Sequence, residues 1–263
     1  MKRLSGALLS AILFLPIFAA AQSPFDGTWK VDMNKVNFPK KPDVFVLHNG
    51  MYDCKTCVPP ISIKADGTEQ KITGHPYFDS VSVKVVSDHE VDETDKKDGK
   101  VVGTAKTMVS SDGNTMTVDW TSVSPANGKE TSGKLEETRV AKGPAGSHAI
   151  SGSWRAKNMQ DISQDAITYS YKVSGDEIMM SNPMGQSYTA KMDGSDAPMK
   201  GDPGTSTVSV KKLGKNAIEE TDKRDGKVIG VMKATVSADG KSMHVSYDDK
   251  LHGSTSSWVA TKQ

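Results

Sequence analysis

The sharpest local chemistry in the chain is Cys54-Lys-Thr-Cys57, which holds both cysteines of the sequence. Covalent haem attachment would need a histidine directly after the second cysteine, and Val58 stands there. A thioredoxin-like redox pair needs a βαβ context and a helix N-terminus to lower the thiol pKa, and the surrounding pattern offers neither. A metal centre needs two further ligands, for which His48 and His75 are the candidates. The leading reading is a local disulfide formed in an oxidising compartment, with metal and redox roles as the alternatives. No metal, cofactor or catalytic residue is assigned from the sequence. It holds no Gly-x-Ser-x-Gly, no His-Glu-x-x-His and no phosphate-cradling glycine loop.

A second cluster follows at Gly74-His-Pro-Tyr-Phe-Asp79. His75, Tyr77 and Phe78 could line the mouth of a cavity, with His48 and Tyr52 gathering near them. The leading reading of the stretch is a loop with its own small aromatic cluster. A third feature is written twice: Thr94-Asp-Lys-Lys-Asp-Gly-Lys-Val-Val-Gly103 and Thr221-Asp-Lys-Arg-Asp-Gly-Lys-Val-Ile-Gly230. Asp-Gly supplies a tight turn, so this motif is expected to be a solvated hairpin tip rather than a cation site, since Lys96 and Lys97 would repel a metal. Methionine is concentrated in the second half, from Met159 to Met243. Without a recurring spacing it reads as core filling rather than as soft copper ligands.

The elements that must carry these residues follow from the duplication. The offset between the two motifs, 221 minus 94, is 127, and it holds without a gap from Lys64/Lys191 to Trp120/Tyr247. Each copy has the size of a small domain. Within the copies the apolar period is two: Val81, Val83 and Val85, then Met116, Val118 and Trp120, and in the second copy Val208 and Val210, then Met243, Val245 and Tyr247. That is the pattern of half-buried strands. Asp-Gly turns at Asp66, Asp98, Asp112, Asp193, Asp225 and Asp239 separate them, so neighbouring strands are expected to be antiparallel. The expectation is an all-β chain of two tandem antiparallel meander barrels of about eight strands each. Rolling a meander shut removes its exposed edges.

Both copies open on the same phrase, Phe25-Asp-Gly-Thr-Trp-Lys30 and Ile150-Ser-Gly-Ser-Trp-Arg155. Gly-x-Trp followed by a base resembles the opening of the calycin superfamily of lipocalins, fatty-acid-binding proteins and avidin-like barrels. The resemblance implies a tryptophan that plugs one end of each barrel and a basic residue from near the chain end packed over it. Arg139 fits that part in the first copy, and Lys262 stands nearby in the second. It also implies a binding role, with Trp29, Trp120 and Trp154 joining His48, Tyr52, His75, Tyr77 and Phe78 as candidate ligand contacts.

Residues 1–21 read as a signal peptide, with a basic start, an apolar run from Leu8 to Ala20 and a small-residue cleavage site at Ala19-Ala-Ala21. Residues 22–143 are then the first barrel, 144–149 a linker and 150–263 the second barrel. The mature protein is expected in the periplasm or outside the cell, with no stable membrane insertion after cleavage. Removing Lys2 and Arg3 takes 33 basic residues to 31 against 32 acids, a formal charge of −1. Net charge of that size recruits neither nucleic acid nor an anionic membrane. The leading function is noncatalytic binding of a small apolar ligand. The alternatives are an envelope-interaction protein whose barrels are filled by their own side chains, and a redox or isomerase-type enzyme centred on Cys54, Cys57 and His75.

Overall fold

The computed structural model describes residues 23–263; the expected leader lies outside them. Twenty strands follow in chain order. The first half holds β1 (Gly27–Val31), β2 (Asp43–His48), β3 (Met51–Cys54), β4 (Ile61–Lys64), β5 (Gln70–Lys71), β6 (Ser80–Ser87), β7 (Glu90–Lys97), β8 (Lys100–Val109), β9 (Thr115–Val123) and β10 (Glu130–Lys142). The second holds β11 (Gly152–Gln160), β12 (Thr168–Ser174), β13 (Glu177–Ser181), β14 (Ser187–Lys191), β15 (Asp193–Pro198), β16 (Thr207–Lys212), β17 (Ala217–Arg224), β18 (Lys227–Val236), β19 (Ser242–Asp249) and β20 (Ser254–Lys262). Two single turns of 3-10 helix, Met33–Lys35 and Gln164–Ile167, are the helical elements among the described residues.

The strands form two antiparallel, nearly closed barrel-like sheets of ten strands each, not eight. The extra strands are short pieces near the open edges, such as β5, which carry no alternating apolar pattern of their own. The first barrel runs β4-β3-β2-β11-β10-β9-β8-β7-β6-β5, and the second β14-β13-β12-β1-β20-β19-β18-β17-β16-β15. Closure differs at the two seams. In the second barrel Ser187 and Lys200 exchange a pair of backbone hydrogen bonds (3.0 and 2.9 Å). In the first, the Gln70 side chain substitutes for a strand: Lys64 N–H donates to Gln70 Oε1 (3.0 Å) and Gln70 Nε2 donates to the Lys64 carbonyl (2.8 Å).

The strand order also corrects the expected division of the chain. The opening strand of each copy does not lie in a barrel with the rest of its own copy. β1 sits between β12 and β20 in the second barrel, and β11 sits between β10 and β2 in the first. The first barrel is therefore the continuous stretch 43–160, and the second is 168–262 completed by β1 from the other end of the chain. Segment 144–149, expected as the linker between barrels, is the turn joining β10 to β11 inside one sheet. Its Pro/Gly composition marks a chain reversal, and composition alone cannot tell a reversal from a domain boundary.

Each barrel has its own core. Trp154, Met116, Val81, Val83 and Ile63 are buried in the first; Trp29, Tyr188, Ile178, Val208, Val210 and Met243 in the second. Met180, Met192, Met199 and Met232 pack against the second core, which accounts for the methionine concentration by gap filling.

Candidate binding site at the barrel mouths

The two barrels share a ground plan that fixes one end as closed. Trp29 and Trp154 are both 0% exposed. Each indole N–H donates to the carbonyl four residues earlier, of Phe25 and Ile150 respectively (2.8 Å in both). The guanidinium of Arg139 lies 3.9 Å from the centroid of Trp154, and Lys262 Nζ lies 5.0 Å from that of Trp29. A base over each plug was the expectation, and the structure provides it with exchanged tryptophans. Arg139 also donates to the carbonyls of Ser151 and Ala149 (2.7 and 2.6 Å), so it ties the Trp154 strand in place as well as covering the ring.

Chemistry gathers at the other end. The twice-written motif is not only a solvated tip. Strand parity carries the inward face from Val91 to Glu93 to Asp95 along β7, and from Ile218 to Glu220 to Asp222 along β17. Glycine on the next strand clears the space. A methyl at Gly103 would meet Asp95 Oδ2 at 3.3 Å, and one at Gly230 would meet the Tyr247 hydroxyl at 1.9 Å. Gly133 does the same for Trp120, whose Cζ2 would lie 2.8 Å away. Each mouth thus holds a Glu-x-Asp pair with an aromatic ring from β9 or β19 on the same lining.

Burial governs the charge of these pairs. In the first barrel burial, with the charge of Asp95 adding, pushes Glu93 up to about 8, and burial raises Asp95 to about 6. In the second, burial and then Asp222 push Glu220 up to about 8, while burial raises Asp222. Two like charges in one dry site favour one shared proton. Tyr188 donates its hydroxyl proton to Glu220 Oε2, and Tyr247 donates to Asp222 Oδ2 (3.3 Å). In the first barrel Asp95 Oδ1 is buried without a partner. Tyr52, Tyr171 and Tyr188 are all held neutral, first by burial and then by these acids.

Two cavities open over the pairs. One, of about 460 Å³, is walled by Phe78, Asp95, Trp120, Val123, Met184 and Pro203. The other, of about 520 Å³, is walled by His75, Asp202, Glu220, Asp222, Arg224 and Tyr247. Pro76, Tyr77 and Phe78 border both. Tyr77 leaves the first barrel and lays its ring on the second: its hydroxyl donates to Asp202 Oδ1 (2.7 Å), and a methyl at Gly204 would sit 2.2 Å from the Tyr77 hydroxyl. The two corresponding Gly-x-Pro loops, 74–79 and 201–206, therefore meet face to face, large residue on small.

The loop that carries Tyr77 rests on the cysteine segment. Cys54 and Cys57 form a disulfide. Gly74 takes a φ of +83° where its Cα faces Pro59, and a methyl there would lie 2.8 Å from Pro59 Cγ. His75 stacks on Phe78 with ring centroids 4.9 Å apart, and burial lowers its pKa.

Of the residues singled out from the sequence, the structure brings His75, Tyr77, Phe78 and Trp120 together around the cavities. Tyr52 is buried deeper in the first barrel, stacked on Phe45. His48 borders a separate hollow with His148. Trp29 and Trp154 belong to the sealed ends. Sequence reasoning missed Glu93, Asp95, Glu220, Asp222 and Tyr188. The signal for the acids was present: they follow Val91 and Ile218 at period two, and turn chemistry drew attention away from it. No family model matches the chain, and neither a curated protein nor a solved structure matches it.

Proposed function

We propose that this is an exported, noncatalytic protein that binds a small ligand with an apolar body at its barrel mouths, the first mouth above all. The observation that carries the reading is the cavity of about 460 Å³ with Trp120, Phe78, Val123 and Met184 on its walls and, in the same lining, the carboxyl of Asp95, one of whose oxygens has no partner. A ligand hiding ~300 Å² of apolar surface would gain about 7.5 kcal/mol at 25 cal/mol per Å². Association costs at least about 4 kcal/mol, which leaves millimolar affinity at best. A hydrogen bond or amine contact to Asp95, worth about 2 kcal/mol, brings that to about 0.1 mM. The ligand class therefore combines an apolar body with a hydrogen-bond donor.

The same reading takes the barrels as lipocalin-like, supported by the Gly-x-Trp plug and its covering base at each sealed end. Among the described residues no helix is long and apolar enough to cross a membrane. A second reading, filled structural barrels, draws on the solid packing of Trp29, Met243 and Val236 at the closed end of the second barrel. Native mass spectrometry of protein purified from its own host decides between them. A copurifying small molecule that Trp120→Ala or Asp95→Asn releases supports binding. Bare protein, together with no response to a neutral apolar dye such as N-phenyl-1-naphthylamine, leaves the structural reading.

A further inference from the structure

The second barrel is completed by an arm from the far end of the chain. Residues 24–37 lie along it as one strip, interrupted by the 3-10 turn Met33–Lys35. β1 pairs with β12 on one side and β20 on the other. The strip continues beyond β1, with Asp32 N–H donating to the Val259 carbonyl (2.8 Å) and Asn37 and Ser257 exchanging backbone hydrogen bonds (2.7 and 3.1 Å). The strip holds its own plug. Phe25 and Trp29 are buried in the second core, Asp26 Oδ1 accepts from Val173 N–H (2.6 Å), and Lys262 Nζ donates to the Pro24 carbonyl (3.2 Å). Lys40 then hands over to the first barrel, its carbonyl accepting from Arg155 Nε (2.9 Å). Pro39-Lys-Lys-Pro42 is the connector.

The first barrel has no such arm. Its Gly-x-Trp strand, β11, is the second arm of a hairpin with β10 and leaves only if that hairpin opens. The slot between β12 and β20 differs, because everything that fills it lies within one short segment whose remaining tether runs to another body. A segment of that kind is the element that domain swapping exchanges.

We propose that this slot is an interaction surface for the N-terminal arm of a second copy of the chain, and that two copies form a strand-exchanged dimer in which each second barrel is closed by the other's residues 24–37. The tethered arm has an effective concentration in the millimolar range, so the monomer prevails when the chain folds dilute. Exchange appears when folding happens at comparable concentration, and the product persists because the plugged strand leaves slowly.

The test refolds the full chain from denaturant at about 1 μM, far below the effective concentration of a tethered arm, and at about 500 μM, which approaches it. Each sample is then diluted, and its mass is read by light scattering on a sizing column. The expected result is a dimer fraction at least tenfold larger at the higher concentration. A fluorescent peptide spanning Ser23 to Asn37, added in excess during refolding, should enter the monomer and suppress the dimer. The same peptide with Trp29→Ala should do neither. Absence of dimer at both concentrations overturns the proposal. So does a dimer that the peptide leaves untouched, and so does a Trp29→Ala peptide that works as well as the parent.

Discussion

Glu137 and Ala260 occupy the same place in the two barrels. Each lies two residues before the base that covers a tryptophan, Arg139 opposite Trp154 and Lys262 opposite Trp29. Both are buried, Glu137 at 2% exposure. One barrel has a methyl there; the other has a carboxyl whose Oε1 finds no partner. At this position the second barrel is thus the apolar version of the plan, and its seam is closed by backbone pairing. The first departs from it in three ways: a lone buried acid, a closure made by the Gln70 side chain, and a disulfide.

The largest expected effect breaks the comparison along its crossed wiring. Trp29→Ala and Trp154→Ala each remove a fully buried indole, and each should cost about 3–5 kcal/mol. The loss should appear in the barrel that receives the strand. Hydrogen exchange should therefore show Trp154→Ala weakening protection in β2, β9 and β10 and Trp29→Ala weakening β12, β19 and β20. Protection lost in the remainder of each tryptophan's own copy, as the duplication boundary alone would suggest, would contradict the strand order.

Next comes Glu137. Burial, with Asp43 adding, pushes its carboxyl from 4.5 up to about 7. The folded state thus holds a proton that the unfolded chain releases. Stability is complete below about pH 4.5, falls as pH rises, and levels off above about 7; the whole drop is about 3 kcal/mol. Glu93 and Glu220 produce a matched decline extending to about pH 8 in both barrels, so they largely cancel between the two. Glu137→Gln should stabilise the first barrel by up to about 3 kcal/mol at pH 8 and change little at pH 4. Denaturant titrations at the two pH values measure it; an equal shift at both would show that the side chain acts through packing and not through its proton.

The disulfide comes third. Closing a loop of three or four residues is worth about 2 kcal/mol in the chain-entropy account. Cys54→Ser with Cys57→Ser should lower the first barrel by that amount and leave the second unchanged, since residues 168–262 contain no cysteine. The replacement also loosens the Pro59 platform under Gly74, so dye binding at the Trp120 cavity should fall while the closed ends keep their protection. Loss confined to stability, with full binding, would separate the disulfide from the mouth.

Much of this was legible in the residues, and what was not has a physical reason. Period-two runs such as Val81/Val83 and Met243/Val245 specify strands and their buried face, because side chains alternate across a sheet. Asp-Gly turns specify antiparallel neighbours. Gly-x-Trp marked the plugs. Which strand supplies which barrel was not written there: β1 and β11 read almost alike, Gly-Thr-Trp-Lys and Gly-Ser-Trp-Arg, so either fits either slot, and the choice rests on long-range pairing. Asp95 and Asp222 were hidden because each sits next to a turn motif strong enough to explain the local composition by itself. The site is an agreement between two copies, and a chain read against its own repeat shows divergence without showing contact.

The smallest effect sharpens that last point. Tyr77 is 45% exposed, and Asp202 also accepts from Gly204 N–H (2.8 Å), so Tyr77→Phe should cost only about 0.5–1 kcal/mol. The pairing of large with small should nevertheless be plain in a double-mutant cycle. Gly204→Ala puts a methyl 2.2 Å from the Tyr77 hydroxyl and must displace the ring. Removing that ring with Tyr77→Ala should erase most of the penalty, leaving a coupling of about 1 kcal/mol between residues in different copies. The same Tyr77→Ala change takes down the wall between the two cavities, so a dye too long for either alone should gain affinity. Additive costs and unchanged dye selectivity would mean that the two loops merely touch, and that their divergence from a common Gly-x-Pro frame arose without reference to each other.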